Sequence, residues 1–456
     1  MNHDPKDIIC RDLWAYPVID LTRPRVRTCC KRPGKLIQEH ELKQFGKNVF
    51  LNLSNIKDDR LQMLNGERPS ECKACWDLED RGLQSFRLGQ LDFQYHFNNI
   101  NGNPVSHENF KSVDQLIQLK DQILYSDKPN KLDLTLGTYC DQKCVYCSGD
   151  YSTQWETEDR KYGLIYGDPL VPKTVNYPSI NGQIMDGWYE TFLEWFDTVY
   201  MHLERIALLG GEPTFSPMFI PLSTHIVNKL KTNSHPNCTV SIVTNLNWKK
   251  NILDHIINIR KNLPDSVKLV LEVSMESFGS KAEYIRHGIV WDRFVTNLKS
   301  VAALDNVDIK LITTINALCV TSIKQYFEMI QSIEQTYNKS FQVIVNRLVF
   351  PKWLSVDILD NEFKYYIEDF IQWLESNDDE TKQQLLITMR QLLSELLIPK
   401  DPNLIGYFIK WISVIDQRRN IDFKSIFPEF NCIFEKYHDY SQQTFLLSDV
   451  KGKWLL

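Results

Sequence analysis

Three cysteines, Cys140, Cys144 and Cys147, fall within one short run, Cys-Asp-Gln-Lys-Cys-Val-Tyr-Cys. Thiolates spaced this closely can converge on one metal centre, and thiolate is the ligand favoured by iron–sulfur clusters and by zinc. Structural zinc is normally closed by a fourth protein ligand, and no His or further Cys stands beside this trio. Three thiolates on a [4Fe–4S] cubane leave one iron open for another ligand. Tyr146 sets an aromatic ring next to the last of the three, where it can cover a bound cofactor.

The chain has eleven cysteines, and clustered thiols in a reducing compartment point to metal or catalysis before disulfides. Cys72 and Cys75, with two residues between them, place two thiolates on one turn. Cys10 and Cys29 (or Cys30) can complete a set of four, enough for a cluster or a structural zinc. Cys238, Cys319 and Cys432 stand alone and read as buried, inert thiols. The basic stretch from Arg23 to Lys35 reads as solvated surface, with offsetting of a thiolate-bound cluster as the alternative.

Gly210-Gly211-Glu212-Pro213 follows Leu208-Leu209. Glycines let the backbone approach a ligand closely, and Glu212 can accept hydrogen bonds from an ammonium group. Thr244, Asn245, Ser274 and Asn316 stand at the ends of apolar runs, where β/α barrels place their sites. The Arg286 guanidinium suits a carboxylate.

Cys-x3-Cys-x-aromatic-Cys after the first strand of a β/α domain resembles the signature of the radical S-adenosylmethionine (radical SAM) family. It is carried here by Cys140, Cys144, Tyr146 and Cys147. Gly210 to Pro213 is similar to that family's second motif, which contacts the SAM amino group. Leu246 stands where relatives often have glycine, and Glu276-Ser277 replaces their usual Asp-Gly. The resemblance implies an α/β fold, a partial (β/α)6 barrel, with a [4Fe–4S] cluster on the three cysteines and SAM chelating its open iron. It also implies reductive cleavage of SAM to methionine and a 5′-deoxyadenosyl radical, which takes a hydrogen atom from a peptide, protein side chain or small-molecule substrate. A reductant such as flavodoxin or ferredoxin is part of that expectation. Tyr146, Gly210, Gly211, Glu212, Pro213, Thr244, Asn245, Ser274, Arg286 and Asn316 are the expected cofactor contacts.

Residues 1–90 resemble the auxiliary-cluster (twitch or SPASM-like) segments of such enzymes, here preceding the barrel. The similarity runs through the double cysteine after Pro24, Asn65-Gly66-Glu67-Arg68-Pro69, Glu71 to Trp76, then Glu79, Gly82, Ser85 and Arg87. Relatives usually have a glycine near Pro24-Arg25. The resemblance implies a second, auxiliary [4Fe–4S] cluster on Cys10, Cys29, Cys72 and Cys75, with zinc as the alternative.

The elements that must position these groups start at Leu132. Candidate strands are Leu132–Leu136, Arg205–Leu209, Thr239–Val243, Leu269–Ser274, Ile309–Ile315 and Gln342–Leu348. Helical periodicity marks Tyr189–Val199, Phe219–Leu230, Lys250–Ile259, Trp291–Leu304 and Ile323–Thr336. The alternation predicts βαβ units and a parallel sheet; periodicity leaves an open barrel and a doubly wound sheet both standing. The expected organisation is a cysteine-rich segment (1–90), a linker with a helix at Val113–Leu124 (91–130), the barrel (131–350) and a helical C-terminal extension (351–456). In the extension Phe363–Ser376 and Thr381–Leu397 are the clearest helices, and Trp353, Trp373, Trp411 and Trp454 predict packing on the main domain.

The net charge of −6 disfavours general binding to nucleic acid or anionic membranes. No apolar run approaches the roughly 18 residues of a membrane span, and Met1-Asn2-His3-Asp4 opens no signal peptide, so a cytoplasmic setting is expected. Two other readings are a catalytically retired iron–sulfur protein used for redox sensing or interaction, and a radical SAM enzyme modifying RNA. The intact triad with Glu212 weighs against the first, and the acidic balance against the second.

Overall fold

The computed structural model describes residues 8–88, 128–165, 185–232, 237–377 and 379–437. The expected linker helix at Val113–Leu124 and Trp454 lie outside them.

The strands in chain order are β1 (Pro17–Asp20), β2 (Arg25–Thr28), β3 (Lys35–Leu36), β4 (Lys131–Thr135), β5 (Lys143–Cys144), β6 (Arg205–Leu209), β7 (Cys238–Thr244), β8 (Val267–Ser274), β9 (Arg286–His287), β10 (Val307–Ile315) and β11 (Gln342–Arg347). Nine of them form one sheet in the order β11-β10-β8-β7-β6-β4-β1-β2-β3, and β5 pairs with β9 apart from it. From β4 through β11 every neighbouring pair in the main sheet is parallel. The protein is thus α/β, with a large, mostly parallel central sheet.

From β4 onward, helices separate the successive parallel strands of the main sheet. In Trp188–Val199 the buried residues are Trp188, Phe192, Trp195, Phe196 and Val199, the spacing of one helix face. Phe294, Leu298 and Val301 do the same in Trp291–Ala302. Beneath them Leu132, Leu134, Ile206, Leu208, Val240, Ile242, Leu269 and Leu271 close the core. No helix among the described residues is long and apolar enough to cross a membrane.

The cysteine-rich segment extends this same sheet. β1 runs parallel to β4, with Val18 opposite Asp133 and Ile19 opposite Leu134, and β2 and β3 continue antiparallel. A short 3₁₀ turn, Gly46–Phe50, sends the buried Phe50 ring against Trp188 at 5.0 Å and Trp195 at 5.1 Å. The Trp188 indole donates to the Asp20 carbonyl at 3.0 Å, at the end of β1.

After β11 the chain is helical: Lys364–Asn377, Gln383–Glu395 and Pro402–Arg419. Trp411 meets Trp353 at 5.6 Å and Trp155 at 5.9 Å, so the extension packs on the main domain as its tryptophans suggested.

Phe50→Ala removes the ring that joins the first segment to the helix Trp188–Val199. We expect a loss of about 3–5 kcal/mol in unfolding free energy, read from urea melts, in a single transition shared by both regions. Separate transitions would show that the segment folds by itself.

Candidate metal and cofactor site

β4 ends at Thr135, and the chain turns at Gly137, whose φ of 81° favours glycine. A Cβ there would meet Thr22 Oγ1 at 2.8 Å. The loop beyond carries Cys140, Cys144 and Cys147. Gly210 and Gly211, just past β6, lie flat against its backbone: Gly211 N–H donates to Gly137 O at 3.0 Å and Glu212 N–H to Tyr139 O at 2.6 Å. A Cβ on Gly210 would sit 2.5 Å from Gly137 O, and one on Gly211 within 2.6 to 2.8 Å of three carbonyl oxygens, those of Tyr139, Thr138 and Tyr151. Such contacts leave glycine as the residue that fits.

The loop is fixed from a second side. β5 pairs antiparallel with β9, putting Cys144 opposite Arg286, and Val145 N–H donates to Ile285 O at 2.8 Å. Arg286 donates from Nε at 3.0 Å and Nη2 at 2.6 Å to Glu276 Oε2. Tyr146 donates its hydroxyl to Glu276 Oε1 at 2.9 Å. Glu276 is fully buried, so Arg286 and Tyr146, both expected to touch a cofactor, share one carboxylate here.

Cys140 is buried, and Cys144 and Cys147 are half-buried. Burial pushes all three thiols up, Cys147 to about 12. Neighbouring thiols add to the rise at Cys140 and Cys147. Several buried atoms around the loop have no hydrogen-bond partner among the described residues: Gln142 Nε2, Ser148 Oγ, Glu158 Oε1, and Nη1 and Nη2 of Arg419.

Glu212 is buried between the ends of β6 and β7. Its carboxylate accepts from Thr214 N at 3.2 Å, the Thr214 hydroxyl, Thr244 Oγ1 at 3.0 Å and Asn245 N at 2.6 Å. Burial still pushes its pKa up to about 7. Pro213 opens the 3₁₀ turn Pro213–Phe215 that Glu212 caps. Asp141, inside the cysteine run, accepts from Asn245 Nδ2 at 2.9 Å and Asn247 Nδ2 at 2.7 Å. Asp141, Glu212, Asn245, Asn247, Trp248 and Arg293 border a cavity of about 470 Å³, within the range of small-molecule sites.

The structure brings Tyr146, Gly210 to Pro213, Thr244, Asn245 and Arg286 to the cysteine loop or its cavity. Asn316 is engaged elsewhere: Oδ1 accepts from Leu318 N and Cys319 N at 3.0 and 3.1 Å, and Nδ2 donates to Thr314 O at 3.0 Å, building the turn after β10. Ser274 ends β8 opposite Ile312. Sequence reasoning missed Asp141, Asn247, Trp248 and Arg419. It met Glu276 only as a departure from a familiar pattern.

In the N-terminal segment, Cys10, Cys29, Cys72 and Cys75 line one cavity of about 20 Å³, together with Lys31, Arg32 and Arg87. Cys30 lies outside that lining and packs against the group of Tyr16, Val18 and Cys29. Cys29 turns inward with φ at 71°. Burial pushes Cys72 up to about 11 and also raises Cys10. Arg87 is held by Glu79, with Nη2 at 2.6 Å from Oε2. Among the described residues, no group of three or more His, Cys, Asp or Glu side chains is arranged to hold a metal ion. Four thiols and no other donor suit an iron–sulfur cluster or zinc by chemistry. The void as it stands holds about one water-sized body, so a cubane requires its walls to part.

Gly211→Ala drives a methyl into three carbonyl oxygens of the cysteine loop. We expect a loss of about 1–3 kcal/mol, as for other overpacked sites. Cys140 and Cys147 should also react faster with a thiol probe in the folded protein, read by mass spectrometry. Unchanged thiol reactivity would mean that the glycines do not hold the loop.

No protein-family model matches the chain, and no curated protein matches it either.

Proposed function

We propose that the chain is a radical SAM enzyme acting on a peptide, a protein side chain or a small molecule. In this reading its sheet is the family's partial barrel. Cys140, Cys144 and Cys147 hold a [4Fe–4S] cluster, and Cys10, Cys29, Cys72 and Cys75 hold a second, auxiliary one. The observation that carries the reading is the meeting of three parts. The cysteine loop follows β4, the glycines after β6 lie on its backbone, and Glu212 and Asp141 border the same cavity.

When bound, the cluster and SAM supply one-electron cleavage to a 5′-deoxyadenosyl radical, with the electron coming from a flavodoxin- or ferredoxin-like reductant. This chain's residues do the rest. The three thiols give up their protons on taking the metal, so uptake strengthens as pH rises. Glu212 receives the SAM ammonium group once ionised, exchanging some of its present donors. Arg286, Glu276 and Tyr146 fix the loop, and Trp155 and Trp411 keep water from its flank. The setting is cytoplasmic, and a net charge of −6 argues against a nucleic-acid substrate. A catalytically retired relative is the second reading, favoured by the four internal donors that already surround Glu212.

Anaerobic reconstitution should load about eight irons per chain, and Cys72→Ser with Cys75→Ser about half as many. An unchanged count in the double variant, or the loss of all iron, overturns the two-site arrangement. Zinc in place of the second set would show as about four irons in the unaltered chain. Reduced, loaded protein should release 5′-deoxyadenosine from SAM; none, with full iron and candidate substrates, favours the retired relative.

SAM affinity should fall as pH drops through about 7, where Glu212 takes its proton. The sign follows from charge, since only the carboxylate attracts the ammonium. Glu212→Gln should bind SAM about ten- to a hundred-fold more weakly, the worth of a charged hydrogen bond at about 1.5–3 kcal/mol, with that pH step gone. Equilibrium dialysis against labelled SAM checks both, and an unchanged affinity removes Glu212 from the cofactor.

A further inference from the structure

The cavity that Glu212 and Asp141 border is walled by two further segments of chain. Thr244 ends β7, and the backbone runs from Asn245 to Lys249 before entering the helix Lys250–Asn262. The second segment meets it there. Gly288, with φ at 110°, lies on the cysteine loop, and a Cβ on it would stand 2.5 Å from Asp141 O. Asn247 ties the two segments together: Nδ2 donates to Gly288 O at 3.0 Å, and Oδ1 accepts from Val290 N at 3.1 Å. The helix Trp291–Ala302 starts from that anchor, so Arg293 in its first turn lines the same cavity as Lys249.

Among the described residues, the charged groups lining the cavity are Asp141, Glu212, Lys249 and Arg293. The two carboxylates already have donors. Asp141 takes one side-chain amide on each oxygen, Glu212 Oε1 accepts from Thr214 and Thr244, and Oε2 accepts from Asn245 N. The two cations have no anion. Arg293 makes one long hydrogen bond, from Nη1 to Asn247 Oδ1 at 3.4 Å, and neither it nor Lys249 is ion-paired among the described residues. The acidic groups on the surrounding helices do not line the cavity: Asp254 lies 3.6 Å from Lys250, Glu283 accepts from Trp291 N at 2.9 Å, and Asp292 is exposed. The spare bonding capacity here is therefore cationic, and a guanidinium fork suits a carboxylate.

The rest of the lining is largely apolar. Trp248, Ile252 and the half-exposed Phe215 line the cavity, and Val290 is exposed beside its anchor. A few convergent polar groups among apolar walls are the usual form of a small-ligand site. Cys140, Cys144 and Cys147 are not among the walls, so the cavity is distinct from the space between the three thiols. Two anions and two cations cancel, so a singly charged carboxylate suits the lining better than a doubly charged phosphate, which Asp141 and Glu212 would repel more strongly.

We propose that Arg293 and Lys249 form an anion subsite that takes a carboxylate carried on an apolar body, and that this group belongs to the substrate. The subsite stands on the cavity's own residues, while its assignment to the substrate rests on the radical SAM reading. It narrows the substrate to a small molecule or peptide with a free carboxylate beside an apolar or aromatic group.

The test uses the full apo chain and N-acetylphenylalanine, a carboxylate on an aromatic body, with the corresponding neutral amide as control, both followed by calorimetry. The acid should bind at least about ten-fold more tightly than the amide, the low end of what a charged hydrogen bond supplies. Arg293→Met should remove that preference, Arg293→Lys should keep part of it, and added salt should weaken the acid alone. No binding of the acid, equal binding of acid and amide, or an unaltered preference in both Arg293→Met and Lys249→Met overturns the subsite. Inorganic phosphate that displaces the acid and binds more tightly overturns the choice of a carboxylate. Thermal melts identify misfolding, and Lys249, exposed on the rim, supplies a variant with little effect on the fold. SAM carries the other carboxylate that could lie here, so labelled SAM on the iron-loaded chain is the second arm. Arg293→Met should leave SAM affinity unchanged; a loss like that of Glu212→Gln assigns the carboxylate to SAM and overturns the substrate assignment. If the unaltered chain assembles no cluster or binds no SAM, the radical SAM reading fails by itself, and the comparison of acid with amide in the apo chain still decides the subsite.

Discussion

Glu276 has no contact with water, and a carboxylate in that position must be matched by donors or destabilise the fold by several kcal/mol. The matching donors are Arg286 and Tyr146, and each belongs to a different part of the site. Tyr146 lies inside the cysteine run, Arg286 in the strand that ladders onto Cys144, and Glu276 itself just beyond β8. Satisfying one carboxylate therefore fixes where the cysteine loop sits relative to the sheet. Once that loop is placed, the glycines after β6 have a surface to lie on, and Glu212 is delivered to the end of β7.

The backbone records the crowding. Leu246 is fully buried at a φ of 56°, a conformation that costs a branched residue about 1–3 kcal/mol. It directly follows Asn245, whose amide and side chain hold Glu212 and Asp141. A glycine there would adopt the same turn without strain. Asn297 compensates in part, its side-chain amide donating to the carbonyls of Leu246 and Trp248 at 2.8 and 3.0 Å.

The parallel part of the fold was legible in the sequence because burial on both faces leaves continuous apolar runs, such as Arg-Ile-Ala-Leu-Leu in β6. All six candidate strands from Leu132 onward are present, most with ends moved by one or two residues; β6 keeps its bounds. β1, β2 and β3 were not legible. They have four residues or fewer, and β2 reads Arg-Val-Arg-Thr with one apolar side chain. At the site, local motifs could be found, since residues spaced for chemistry are neighbours in sequence. Arg419 could not, because a helix arginine far along the chain carries no local sign of the loop it reaches. Choosing Cys29 over Cys30 as the inward thiol likewise needed the backbone turn, not the spacing.

The pairing of β1 with β4 sets an order of events during synthesis. Val18 waits for Asp133, and at ribosomal rates of about 5–20 residues per second that partner emerges on the order of ten seconds later. Through that interval Cys10, Cys29, Cys72 and Cys75 belong to a nascent segment whose first strand has β2 on one side and no partner on the other. The cavity these four thiols line is walled by residues between Cys10 and Arg87, so all of its walls leave the ribosome before the strand Lys131–Thr135 that leads into the other cysteine loop.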